Sequence, residues 1–170
     1  MSSPAIHEIL QNPQGLAVLA LIRHRETARV LLRADSGRYL MMYSLWSPES
    51  ALEPRWVSPG GGLEGSEPLE VAASRELLEE TGLRVNPGSL GPKISSIEFN
   101  QPWPSGDHET GIAHFFKFQV ADEFEVDRSM WTAEEHRDIL DVRWWDPKNL
   151  NDSGERVGPP GLIELLVELG

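Results

Sequence analysis

The stretch from Pro59 to Gly82 restricts the fold of this chain more than any other. Pro59-Gly60-Gly61-Gly62 interrupts whatever strand enters it, because glycine admits positive φ and packs no side chain. The best helix of the chain follows, predicted over residues 67–81. Ser66 is the expected N-cap, Glu67 and Glu70 lie near the positive end of the dipole, and Pro68 is tolerated in the first turn. Gly82 ends the helix as a C′ residue. Leu69, Ala73 and Leu77 recur every four residues and form one apolar stripe. A short strand, residues 55–58, must therefore turn through a glycine-rich loop into a helix that seeks an apolar partner.

Around this unit the pattern is mixed. Residues 1–15 read as a loose lead-in with Pro4, Pro13 and Gly15. Residues 16–22 form an apolar run too short to separate strand from helix. Residues 28–34 and 39–43 read as strands joined by the turn Asp35-Ser36-Gly37, a hairpin. Residues 44–54 read as a loop. Residues 94–99, 112–120 and 139–145 read as further strands, the first two separated by a loop with Pro102, Trp103, Pro104 and Gly106. Residues 122–138 are polar and acidic, and residues 162–169 read as a closing helix with Glu164 and Glu168 outward. Strict alternation of strand and helix is absent, which predicts a mixed sheet covered by helices.

The helix carries an unusual charge pattern. Glu76, Glu79 and Glu80 stand at i, i+3 and i+4 and share one stripe. They lie in the last turn, where the helix dipole disfavours anions. Arg75 reaches Glu79 at i+4, but one arginine does not balance three carboxylates. The stripe is either a solvated acidic face or a place where a cation relieves the repulsion. Carboxylate oxygens suit Mg²⁺, Mn²⁺ or Ca²⁺, whereas zinc favours His or Cys, and no His-rich helix is present. The glycine-rich turn feeding a helix N-terminus can cradle phosphate, although the GK[ST] of a P-loop is missing. Together the two features predict a phosphate held beside a divalent metal.

Composition narrows the partners. The 170 residues hold 15 basic and 27 acidic side chains, a net charge of −12, and only three are lysine. Duplex nucleic acid, which needs clustered basic residues, is not an expected partner by that measure. No apolar run approaches the roughly 20 residues of a membrane-spanning helix, and no secretory signal is visible. The absence of cysteine removes disulfides and thiolate chemistry and fits a cytoplasmic protein. No EF-hand loop is present.

Residues 61–83, GGLEGSEPLEVAASRELLEETGL, resemble the Nudix box, G-x5-E-x7-R-E-U-x-E-E-x-G-U with U a bulky aliphatic. Gly61, Glu67, Arg75, Glu76, Leu77, Glu79, Glu80, Gly82 and Leu83 fill every fixed position. The resemblance implies an α/β/α sandwich around a mixed β-sheet, in a single domain over residues 25–150. Residues 1–24 would be a lead-in and residues 151–170 a C-terminal helix packed on the domain. It also implies hydrolysis of a nucleoside diphosphate linked to another moiety, with Mg²⁺ or Mn²⁺ as cofactor. By position, Glu76, Glu79 and Glu80 would be metal ligands, with the carbonyl of Gly60 or Gly61 adding another. Arg75 would orient the glutamates, Glu67 would help hold the loop, and Gly61 and Gly62 would approach the substrate. Gly82 would be structural, and Leu77 and Leu83 would pack.

A glutamate should take the proton of the attacking water. Glu79 in the box is one candidate; Glu98, Glu109, Glu134 and Glu135 are later ones, with the Glu134–Glu135 pair favoured because it precedes a strand in an acidic loop. Trp46, Trp103 and Trp131 fall in predicted loops, where an indole face can stack on a base, and Trp103 is the selected substrate contact. Trp56, Trp144, Trp145 and His114 read as packing residues. The positions where the resemblance places subfamily markers hold Phe99, Asn100 and Gln101, and none meets a marker. The expected partner is a nucleotide-type small molecule, with a homodimer open. The alternative is a non-catalytic nucleotide-binding or sensing protein of the same fold.

Overall fold

A computed structural model describes residues 5–11, 17–47 and 50–170 of the chain. Among the described residues eight strands make one mixed sheet. In chain order they are β1 (Ala5–Gln11), β2 (Ala17–Ala34), β3 (Tyr39–Ser44), β4 (Arg55–Val57), β5 (Gly60–Gly62), β6 (Ser95–Pro102), β7 (His108–Val120) and β8 (Ile139–Trp145). The helices are α1 (Leu69–Thr81), α2 (Ala133–Asp138), α3 (Pro147–Asp152) and α4 (Leu162–Leu169).

Strand β2 organises the sheet. Its 18 residues outrun any single partner. It pairs antiparallel with β1 over 17–23, with β5 over 27–29 and with β3 at Arg33, and parallel with β7 over 22–34. The central order is β4-β3-β2-β7-β6, and β8 pairs with β3. Alternation along β2 then divides the core. Ala28, Val30 and Leu32 pack with Ala72, Ala73 and Leu77 of α1, while Leu31 packs with Leu150, Leu162 and Leu166 of α3 and α4. Helices thus cover both faces, giving the expected α/β/α sandwich. Glu164 and Glu168 face outward on α4, as its spacing predicts.

Several local readings change. Residues 5–11, read as part of an irregular lead-in, form a strand because residues 17–23 offer them a backbone ladder. The glycine run is more than a break. Gly60, Gly61 and Gly62 pair with Arg29, Ala28 and Thr27. At Gly60 φ is 132°, and a Cβ there would collide with the carbonyl oxygen of Ala28, so only glycine lies this close to β2. Helix α1 begins at Leu69, later than predicted, and its N-cap is Pro68 with no side-chain cap. Ser66 is not the cap, because the extended Pro68 (ψ 149°) delays the helix. Gly82 closes α1 in the left-handed region, φ 77°, with its N–H donating to the Leu78 carbonyl at 2.9 Å. The acidic 122–138 stretch contains helix α2. Thr132 and Glu135 form a reciprocal capping box there, a signal present in the sequence as T-A-E-E.

Candidate active site

The first turns of α1 and the strand before it are tied together by Arg75. Its Nη2 donates to Glu67 Oε1 at 2.7 Å and to the Gly62 carbonyl at 3.0 Å. Its Nη1 donates to Glu76 Oε1 at 2.8 Å and to Glu79 Oε2 at 3.2 Å. Glu67 also accepts from the backbone N–H of Glu64 at 2.8 Å, closing the loop ahead of the helix. The guanidinium holds Glu67 below the usual carboxylate range, chiefly through that hydrogen bond. One side chain therefore orients two glutamates of the stripe and pins the glycine strand to the helix.

Glu80 is held differently. Its Oε2 accepts from the N–H of Gly60 at 2.6 Å. Removal from solvent, and then the neighbouring charge of Glu76, push its pKa up to about 8. Burial likewise raises Glu76, against the pull of Arg75. Beneath them Trp131 donates its indole N–H to the Glu80 carbonyl at 2.8 Å, so this tryptophan supports the end of α1. A Cβ on Gly61 would lie 2.6 Å from Glu76 Oε1, so the glycine leaves room for that carboxylate.

These groups form one wall of a cavity of about 510 Å³. Arg75, Glu76, Glu79, Glu80, Gly60 and Gly61 line it from the box. Glu134 and Glu135 line it from α2, and Glu109 and Phe99 from β7 and β6. Arg25, Thr27 and Arg29 come from alternate positions of β2, and Trp46 and Arg55 from the β3–β4 region. Glu135 is engaged in the capping box, while Glu134 is exposed. Glu109 is 2% exposed; it accepts from Trp46 Nε1 at 2.9 Å and faces Arg25 at 3.5 Å. Glu98 is exposed on β6 and outside the cavity lining.

The structure separates the other sequence candidates. Trp103 does not line the cavity. It is buried in the β6–β7 turn with Arg23 over its ring, because the turn folds it back onto β2. Gly62 is also outside the lining; its carbonyl is taken by Arg75. Trp46 is the tryptophan that reaches the cavity. His114 lies away from it, with Nε2 2.7 Å from Glu26 Oε1 and Nδ1 2.9 Å from Ser96 Oγ. Beyond Arg75, the cavity arginines Arg25, Arg29, Arg55 and Arg137 are not among the residues the sequence singles out. The run Arg25-x-Thr27-x-Arg29 has the period of a strand face and could have flagged two of them.

Among the described residues no three acidic or imidazole groups close around a common point. The donor set still suits a hard divalent cation. It is made of oxygens, it shares one cavity wall, and two of its carboxylates sit where burial disfavours their charge.

The fold and the box define a Nudix-type domain. The NUDIX domain family model matches residues 23–166, and the chain belongs to that family. Among solved structures it is similar to a MutT protein from Methanosarcina mazei Go1, with 18% identity, a TM-score of 0.60, and coverage of 85% of this chain and 91% of that one. It is also similar to RenU, a Nudix hydrolase from M. smegmatis, at 19% identity and TM-score 0.55, covering 95% and 93%. A curated mouse relative, diphosphoinositol polyphosphate phosphohydrolase 3-alpha, is 45% identical over 47 residues, 28% of this chain and 27% of that protein. The chain thus matches about a quarter of the length of that relative. No helix among the described residues is long and apolar enough to cross a membrane.

Proposed function

We propose that this chain hydrolyses the pyrophosphate bond of a nucleoside diphosphate linked to another moiety, with Mg²⁺ or Mn²⁺ as cofactor. The observation that carries the reading is the shared cavity wall of Glu76, Glu79 and Glu80, oriented by Arg75 and by the Gly60 N–H. Bound metal would polarise the phosphoryl oxygens and lower the pKa of a coordinated water. Glu76, Glu79 and Glu80 would hold it. Arg75 keeps Glu76 and Glu79 in fixed rotamers, so that little ordering is left for the moment of binding.

The proton of the attacking water passes to a carboxylate at the cavity. Glu134 is the candidate we favour, because Glu135 Oε2 already accepts from the Thr132 N–H at 2.6 Å. The backbone of Gly60 and Gly61 lets the phosphates approach, and Arg29, close enough to feel the charge of Glu80 and Glu76, adds positive potential beside them.

The test is hydrolysis of a panel of nucleoside triphosphates, nucleotide sugars, ADP-ribose, NADH and dinucleoside polyphosphates, with Mg²⁺ or with EDTA. Glu80→Gln is run in parallel. The expected result is metal-dependent cleavage of at least one class, reduced about a hundredfold or more in the variant. Absence of cleavage with every class, while a nucleotide still raises the melting temperature, would replace the hydrolase with a binding protein.

A further inference from the structure

Arginines at the cavity differ in one respect. Arg75 contacts three carboxylates, Arg25 faces Glu109, and Arg137 is paired with Asp138. Arg29 lies in the field of Glu80, Glu76 and Glu109. Arg55 has none of this. It is 8% exposed, and no carboxylate lies within ion-pair distance of it among the described residues. Burial lowers its pKa, and the charge that adds to this among the described residues is another cation, Arg156.

The side chain is nonetheless firmly placed. Nη1 donates to Gln101 Oε1 at 3.0 Å, and the guanidinium sits 4.8 Å from the centroid of the Trp46 ring. Behind it Gly158 gives way, since a Cβ there would come within 2.5 Å of Arg55 Cδ. Its Nε is buried without a hydrogen-bond partner. An amide oxygen and an indole face ease desolvation but carry no formal negative charge. A buried cation without a counter-charge is unfavourable unless something else supplies the anion. The carboxylates of α1 are not that source, for the ion pairs they make run to Arg75 and none reaches Arg55.

We infer that Arg55 is a second anion-binding point of this cavity, and that the substrate is a pyrophosphate compound bearing a further phosphomonoester or carboxylate outside its pyrophosphate. Trp46 and Gln101 are positioning residues that hold the guanidinium for it. The inference rests on the hydrolase reading for the scissile bond but not for the binding contact.

Two substrate pairs that differ by one anionic group test it: NADPH against NADH, and UDP-glucuronate against UDP-glucose. The quantity read is the ratio of kcat/KM within each pair for the wild type, Arg55→Met and Arg55→Lys. The wild type should favour the more anionic member of at least one pair by about tenfold or more. Arg55→Met should bring that ratio to about one, and Arg55→Lys should keep part of it. If no compound is cleaved, calorimetric affinities for the same pairs in EDTA give the same ratio, so loss of the hydrolase reading is separable from loss of this one. A wild-type ratio of one or less in both pairs overturns the inference, as does a preference that Arg55→Met leaves intact. If Arg55→Met does not fold, Arg55→Lys and Arg55→Gln carry the comparison.

Discussion

Replacing Glu80 with Gln should stabilise the metal-free protein while destroying its response to metal. The glutamate is poised against its own charge: its carboxyl is withdrawn from water beside Glu76 and has one backbone donor, Gly60 N–H at 2.6 Å. With a folded pKa raised from 4.5 to about 8, the native state binds the proton more tightly than the unfolded chain. The stability tied to that proton is complete below pH 4.5, declines as pH rises, and is lost above about pH 8. At pH 7 the loss is on the order of 3 kcal/mol, an upper figure because the site can relax. Glutamine keeps an oxygen for the Gly60 N–H and removes the ionisation. In EDTA the variant should therefore melt above the wild type, by roughly 6–12 °C near pH 7 at roughly 2–4 °C per kcal/mol. The gap should shrink toward zero near pH 4.5. Adding Mg²⁺ should raise the wild type and leave the variant nearly unchanged. Differential scanning calorimetry across pH 4.5–8.5, with EDTA and with Mg²⁺, reads all of this. A variant that melts below the wild type in EDTA, or a gap that does not change with pH, would refute the argument.

Three further outcomes follow from the same geometry. Glu67→Gln should lower stability by about 1–2 kcal/mol at pH 7. Because Arg75 depresses the Glu67 pKa, that stability is present above the ordinary carboxylate range and lost as pH falls through the lowered value, so urea midpoints of the two proteins should converge in acid. Gly61→Ala places a Cβ 2.6 Å from Glu76 Oε1 and should reduce kcat/KM by about tenfold to a hundredfold, with the melting temperature in EDTA little altered. Trp131→Ala removes a buried ring and the donor to the Glu80 carbonyl, and chemical denaturation should show a loss of about 3–5 kcal/mol.

Legibility followed the range of the interactions. Helix α1, its closure at Gly82 and its glutamate stripe were readable because they depend on neighbours three and four residues apart. The first turn was not, since the extended Pro68 and the recruitment of Glu67 by Arg75 depend on the loop outside the helix. Strand β5 looked like a break because glycine has no strand propensity; it is a strand because β2 supplies the partners. Trp46 and Trp103 were equivalent as loop tryptophans. The difference is that one reaches Glu109, 63 residues away, and the other is covered by Arg23.

The amino-acid sequence by itself determined the box, its charge pattern and the mixed sheet around it, because these rest on short-range spacing and on apolar periodicity. Only the tertiary structure decided which side chains share the cavity. Arg25 and Arg29 enter it by strand alternation, Glu109 enters through the pairing of β7 with the distant strand β2, and Arg55 enters from β4 as it pairs with β3. Whether a charged group is paired depends on what those strands bring within a few ångströms. Spacing along the chain carries no information about that distance, so Arg55 gained its meaning only in three dimensions.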